Sequence, residues 1–198
     1  MRVIAGKAKG RKLVDVKGPG TRPITDRAKS ALFSILSYDV QDARFLDLFA
    51  GTGQVGIEAL SRGARQAVLV EYGQEAIRAI HTNLRLTRLE ANAVIERADV
   101  FHYLTGAPQA FDYIFIAPPQ YRQLWSKTLH QIDNIPAWLV ADGWAIVQIN
   151  PVEYQPQDLI NLQLFDQRTY GSVMLCFYML KSQVASSLPG TIPDENAG

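Results

Sequence analysis

Thiols, long apolar runs and clustered histidines are all scarce in this chain, and each scarcity removes a class of function. A single cysteine, Cys176, excludes an internal disulfide and any multi-thiolate metal site, and its apolar surroundings mark it as core, not nucleophile. His81, His102 and His130 are scattered without metal-site spacing, so no metal is expected. No apolar run approaches the roughly twenty residues of a membrane span, and Met1-Arg2-Val3-Ile4-Ala5-Gly6-Lys7 lacks the apolar stretch of a secretory signal. A cytoplasmic protein without membrane contact is the expectation. Net charge is also nearly absent, +1 over 198 residues, and with 47% apolar residues the chain suits one α/β domain, too short for two ordinary ones.

That small charge is unevenly spread. Residues 2 to 29 hold nine cations (Arg2, Lys7, Lys9, Arg11, Lys12, Lys17, Arg22, Arg27, Lys29) against Asp15 and Asp26, a local +7 that leaves −6 for the rest of a +1 chain. A concentrated basic segment beside a mildly acidic body is the footprint of a phosphate-rich partner, or else a solvated surface extension. Val3-Ile4-Ala5-Gly6 and Lys12-Leu13-Val14-Asp15-Val16 flank Lys9-Gly10-Arg11 as a hairpin with a basic turn, and Gly18-Pro19-Gly20 breaks the chain after it. Residues 1–20 are expected to be an appendage outside the sheet.

The chain is organised around Phe45-Leu46-Asp47-Leu48-Phe49-Ala50-Gly51-Thr52-Gly53-Gln54-Val55-Gly56, an apolar strand entering a Gly-rich turn that Ile57-Glu58-Ala59-Leu60 leaves as a helix. Gly51, Gly53 and Gly56 match G-x-G-x-x-G, which serves a tight turn, close backbone approach to a ligand and close helix packing. Twenty residues past Gly51, the strand Ala67-Val68-Leu69-Val70 ends at Glu71, where an acid accepts hydrogen bonds from ribose hydroxyls. The pattern points to a bound nucleoside and serves nicotinamide cofactors and S-adenosylmethionine alike. Asp47 separates them. A dinucleotide needs no carboxylate inside the first strand, whereas a ligand carrying an ammonium and a sulfonium welcomes one. The alternative for Asp47 is to cap backbone N–H groups of the turn.

Further strands are expected at Ala93–Arg97, Phe111–Ile116, Trp144–Ile149, Leu162–Phe165 and Val173–Leu180. Helices are expected after Thr25 or Asp26, over Glu75–Leu86 and over Trp125–Leu139. Asp99 follows the third strand and would cap a short helix from Val100 to Leu104. The closing hairpin suits a methyltransferase better than a nicotinamide enzyme. Residues 182–198, with two prolines and few apolar side chains, are expected to be a disordered tail.

Leu46-Asp47-Leu48-Phe49-Ala50-Gly51-Thr52-Gly53, then Gly56-Ile57-Glu58-Ala59-Leu60-Ser61-Arg62-Gly63-Ala64, together with Arg22-Pro23-Ile24-Thr25-Asp26-Arg27, resembles the RsmD-type family of 16S ribosomal RNA guanine-N2 methyltransferases, class I enzymes dependent on S-adenosylmethionine. The similarity runs from Arg2 to about Leu180. It implies a Rossmann-like α/β fold, a mostly parallel seven-stranded sheet with helices on both faces, over residues 21–181, acting as a monomer. It implies a cofactor site made by Asp47, Phe49, Ala50, Gly51, Thr52, Gly53 and Gly56 for the methionine end, Glu71 and Tyr72 for the ribose, and Asp99 and Val100 for the adenine. The implied partner is ribosomal RNA or a small-subunit assembly particle, met through Arg2, Lys7, Lys9, Arg11, Lys12, Arg22 and Arg27. Arg22 and Arg27 could equally fix the following helix by salt bridges.

The family resemblance also implies a target pocket at Ala117-Pro118-Pro119-Gln120-Tyr121, and there the sequence departs. Amino-methylating relatives carry Asp or Asn, two prolines and an aromatic. An exocyclic amine of a purine is a poor nucleophile because its lone pair is delocalised, so the enzyme must hold it by accepting its protons. Ala117 accepts no hydrogen bond and Gln120 stands in place of the aromatic, leaving backbone carbonyls beside rigid prolines, with Tyr121 one residue late for stacking. Slower transfer to the same base, a different acceptor, or a cofactor-binding RNA-associated protein without transfer are all compatible with these residues. A dinucleotide-dependent oxidoreductase is the remaining rival.

Overall fold

Near-continuous apolar runs on the central strands build one sheet whose two faces are both covered. The structure, a computed structural model, describes residues 1–16, 24–120 and 122–181. Arg22, Tyr121 and the tail 182–198 lie outside the described residues.

The strands are β1 (Arg44–Leu48), β2 (Gln66–Glu71), β3 (Ala93–Arg97), β4 (Phe111–Ile116), β5 (Leu139–Ile149), β6 (Leu162–Tyr170) and β7 (Val173–Leu180), and the helices α1 (Asp26–Leu36), α2 (Gln54–Ser61), α3 (Gln74–Thr87), α4 (Val100–Tyr103) and α5 (Leu124–Asn134). The sheet order is β3-β2-β1-β4-β5-β7-β6. β1 to β5 are mutually parallel, and β7 runs antiparallel to both neighbours. This is the Rossmann-like class I methyltransferase architecture expected from the sequence, including the closing antiparallel hairpin. β5 begins five residues earlier than expected, because Leu139–Gly143 joins the strand through a register shift opposite Phe111 and Tyr113.

Alternation assigns each strand residue to a face. Phe45, Leu69, Phe115, Ile146 and Phe177 pack with residues of α1, α2 and α3 on one side, while Leu46, Val68, Ile114, Val147 and Cys176 pack with residues of α4 and α5 on the other. α1 starts where Thr25 Oγ1 accepts the Ala28 N–H at 3.2 Å, one of the two capping residues anticipated.

The basic N-terminal segment differs from a free hairpin. Arg2 bridges Lys12 antiparallel, the Val3 N–H donates to the Arg11 carbonyl at 3.0 Å and the Leu13 N–H to the Met1 carbonyl at 3.2 Å, and the segment stays outside the sheet. Its apolar side chains Val3, Ala8 and Leu13 are buried with the core. Glu58 of α2, wholly buried, accepts the Ile4 N–H at 2.7 Å and the Ala5 N–H at 3.0 Å, and it pairs with Arg62 at 2.8 Å and with buried Lys29 at 3.4 Å. Ser61 Oγ accepts the Ala8 N–H and donates to the Ala5 carbonyl. Gly6 makes this contact possible, since at φ +80° a Cβ there would stand 1.8 Å from the Ser61 carbonyl oxygen. Lys29, counted with the basic segment in the sequence, is therefore an internal partner of Glu58. Burial lowers its pKa, and the Glu58 charge opposes that shift.

Candidate active site

β1 turns toward β2 on one side while β4 lies on its other, so the carboxyl ends of β1 and β4 diverge and leave a crevice, the usual ligand position in such sheets. A cavity of about 500 Å³ occupies it, walled by Asp47, Phe49 to Thr52, Gln54, Glu71, Phe115, Ala117 to Gln120 and Gln148, with Asp15, Val16 and Ile24 of the N-terminal region closing one side. That size suits a nucleoside-sized ligand.

The Gly-rich turn is held under strain from several directions. Phe49 adopts φ +62°, a left-handed conformation costing a bulky residue about 1–3 kcal/mol, and Gly51 and Gly53 follow at φ +56° and +75°. Glu71 secures the turn: Oε2 accepts the Gly51 N–H at 2.8 Å, and Oε1 accepts those of Tyr72 and Gly73 at 2.8 and 2.7 Å. Asn83 Nδ2 donates to the Thr52 carbonyl at 2.9 Å and to the Val14 carbonyl at 3.1 Å, while its Oδ1 accepts the Val14 N–H at 2.6 Å. One buried amide thus ties the turn to the N-terminal segment.

Asp47 is 2% exposed and faces the side of the sheet that α2 covers. Its Oδ2 accepts the Gly56 N–H at 2.9 Å, so the capping role left open by the sequence is present. Gly56 permits it, because a Cβ there would lie 3.0 Å from Leu69 and 3.3 Å from Asp47 Oδ2. The other oxygen, Oδ1, has no hydrogen-bond partner among the described residues, and the side chain lines the cavity. Burial pushes the Asp47 carboxyl up to about 8, the Gly56 N–H opposes this, and the nearby Glu71 charge adds to it. Near neutral pH this carboxyl therefore holds its proton, and a cation beside it would favour the charged form.

Two residues that sequence reasoning left without a role complete the wall. Gln54 is 6% and Gln148 8% exposed, and the Oε1 of each has no hydrogen-bond partner among the described residues. Buried polar atoms are nearly always satisfied, so unpartnered ones lining a cavity are acceptors open to a ligand there. The signal for Gln148 was available: like Asp47, it is a polar residue in an otherwise apolar strand.

Other expected site residues are placed differently. Asp99 caps α4, its Oδ1 accepting the Phe101 and His102 N–H groups at 2.9 and 3.1 Å, and neither it nor Val100 lines the cavity. Val100 is buried in the apolar cluster on the α4 and α5 face. Tyr72 is largely exposed. Arg2 is engaged with Asp26 at 3.1 Å, an exposed pair worth little. Lys7, Lys9, Arg11, Lys12 and Arg27 are exposed and carry no ion pair among the described residues.

Comparison with known proteins decides which family the chain belongs to. Residues 1–179 match the family model described as Conserved hypothetical protein 95. Ribosomal RNA small subunit methyltransferase D of Escherichia coli (strain K12) is 31% identical over 183 residues, 92% of this chain and 91% of its own. The chain belongs to the RsmD-type methyltransferase family. Two solved structures share its fold over nearly their whole length: Escherichia coli yhhF, at TM-score 0.80 and 30% identity, covering 92% of this chain and 99% of that one, and a hypothetical protein of Thermus thermophilus, TTHA0928, at 0.76 and 32%, covering 91% and 99%. As an RsmD-type chain, it carries the strained turn, Asp47 and Glu71 around one cavity with the proline wall. Among the described residues no helix is long and apolar enough to cross a membrane.

Proposed function

We propose that this protein transfers a methyl group from S-adenosylmethionine to the exocyclic 2-amino group of a guanine in small-subunit ribosomal RNA. The observation that carries the reading is one cavity in which a buried carboxylate with a free oxygen, Asp47, faces a wall built from Ala117, Pro118 and Pro119. The unpartnered Oε1 of Gln54 fits the same ligand, since an ammonium supplies the donors these acceptors lack. When bound, S-adenosylmethionine supplies a methyl on a sulfonium leaving group, so the chain's own work is positioning. Asp47 Oδ1 and Gln54 hold the ammonium. Glu71 Oε2 accepts one backbone N–H and keeps a lone pair for a ribose hydroxyl, whereas Oε1 already accepts two. The Asp99 oxygen not used in capping is the proposed acceptor for the adenine amino group. Pro118 and Pro119 fix the backbone carbonyls beside the target.

Labelled methyl transfer to unmodified small-subunit ribosomal RNA or subunits tests this. Incorporation at a guanine 2-amino group, reduced in Asp47→Asn at subsaturating cofactor, is expected. Tight cofactor binding with no incorporation into either substrate would instead support a second reading motivated by Ala117, an RNA-associated protein that binds the cofactor without transfer.

RNA would meet the exposed cations of the N-terminal segment. Changing Lys9, Arg11 and Lys12 to glutamine should weaken RNA binding and flatten the dependence of log affinity on log salt by about 2 to 3, with affinity for S-adenosylhomocysteine unchanged. An unaltered salt slope in a filter-binding titration would place the RNA elsewhere.

A further inference from the structure

The target amine needs a side-chain acceptor, and position 117 supplies only a methyl group. The neighbouring strand compensates. β4 and β5 pair in parallel with Phe115 opposite Ile146 and Ile116 opposite Val147, so the next step brings Ala117 abreast of Gln148. Both lie on the sheet face that carries Asp47, and all three line the cavity. Gln148 is more than nine-tenths buried and its Oε1 is unpartnered. Among the described residues no hydrogen bond holds either carboxamide atom, so the group is free to turn its oxygen toward whatever donor enters.

We propose that Gln148 is the positioning residue for the target, its carboxamide oxygen accepting a hydrogen bond from the exocyclic amine of an RNA purine in place of the side chain missing at Ala117. The proposal rests on the reading of this cavity as an RNA amino-methylation site. In the step it serves, the amine lone pair forms the new N–C bond to the methyl of the adenosyl sulfonium donor, and the C–S bond breaks with its electron pair left on sulfur. The surplus amine proton leaves to water. Gln148 takes no proton; it orients the N–H so that the lone pair faces the methyl carbon.

The test compares wild type, Gln148→Met, Gln148→Glu and the double variant Gln148→Met with Ala117→Asn. Single-turnover methyl transfer to RNA, calorimetric affinity for S-adenosylhomocysteine and thermal melting are measured for each. Methionine conserves volume without an acceptor and should slow transfer about 10- to 100-fold, the loss expected for one hydrogen bond, with product affinity within about twofold and melting unchanged. Glutamate should retain transfer, and asparagine at 117 should restore the methionine variant to within about tenfold of wild type. Wild-type rates in Gln148→Met, a parallel loss of product affinity, or no rescue by Ala117→Asn would each overturn the proposal while leaving the methyltransferase reading in place. No transfer by the wild-type protein would overturn that reading and this proposal together.

Discussion

Asp47→Asn is expected to lower the affinity for S-adenosylhomocysteine about 10- to 100-fold without unfolding the protein. The amide still accepts the Gly56 N–H, so the junction of β1 and α2 persists, but the charge that meets the ligand ammonium is gone, and a charge-assisted hydrogen bond is worth about 1.5–3 kcal/mol. The pH dependence follows from the raised pKa. The folded, ligand-free carboxyl keeps its proton up to about 8, whereas the unfolded chain loses it near 3.8. Between those values the native state binds more protons than the unfolded state, so stability falls as pH rises through that window, and Asp47→Asn should remove that component. A bound ammonium reverses the preference by stabilising the charged form. Product binding near pH 6.5 should therefore release up to one proton, seen as a dependence of calorimetric enthalpy on buffer ionisation. Affinity should climb with pH toward 8, then level. Unchanged product affinity in Asp47→Asn, or no proton release, would remove Asp47 from the ligand site.

The largest expected stability effect lies away from the cavity. Glu58→Ala should cost about 3–5 kcal/mol, because it leaves the wholly buried Lys29 ammonium without its counter-charge, held among the described residues only by the Arg2 carbonyl at 2.6 Å, and strips acceptors from the Ile4 and Ala5 N–H groups. Denaturant unfolding should show the loss, and protease should cut first within residues 1–13, whose attachment runs through Glu58 and Ser61. The double change Glu58→Leu with Lys29→Met should recover much of it, since paired burial replaced by apolar packing is often neutral or better. A single variant as stable as wild type would show that water compensates Lys29.

The N-terminal segment shows why such a coupling escapes sequence reading. Nine cations among residues 2 to 29 read as a basic segment for a phosphate-rich partner or as a solvated surface extension. Only in three dimensions does one of them, Lys29, turn inward to Glu58, while Asn83 fastens Val14 to the carbonyl of Thr52 in the Gly-rich turn. Cations left exposed and cations neutralised inside look alike in a charge count. Asp99 carries the same lesson at smaller scale: the residue type and position allowed both a helix cap and a ligand contact, and the cap uses Oδ1 alone, which leaves Oδ2 for a ligand.

From its order of residues alone, the chain determined seven strands and a Gly-rich turn flanked by Asp47 and Glu71, because these depend on local apolar runs and on glycine's steric freedom. Tertiary structure alone decided that Gln148 and Ala117, one step past the Ile116–Val147 pair, line the same cavity, since strand neighbours are set by sheet order and register over a separation of thirty-one residues. It alone decided, too, that burial without a counter-cation raises the Asp47 pKa, because desolvation depends on what surrounds a carboxylate in space and not on which residues adjoin it in the chain.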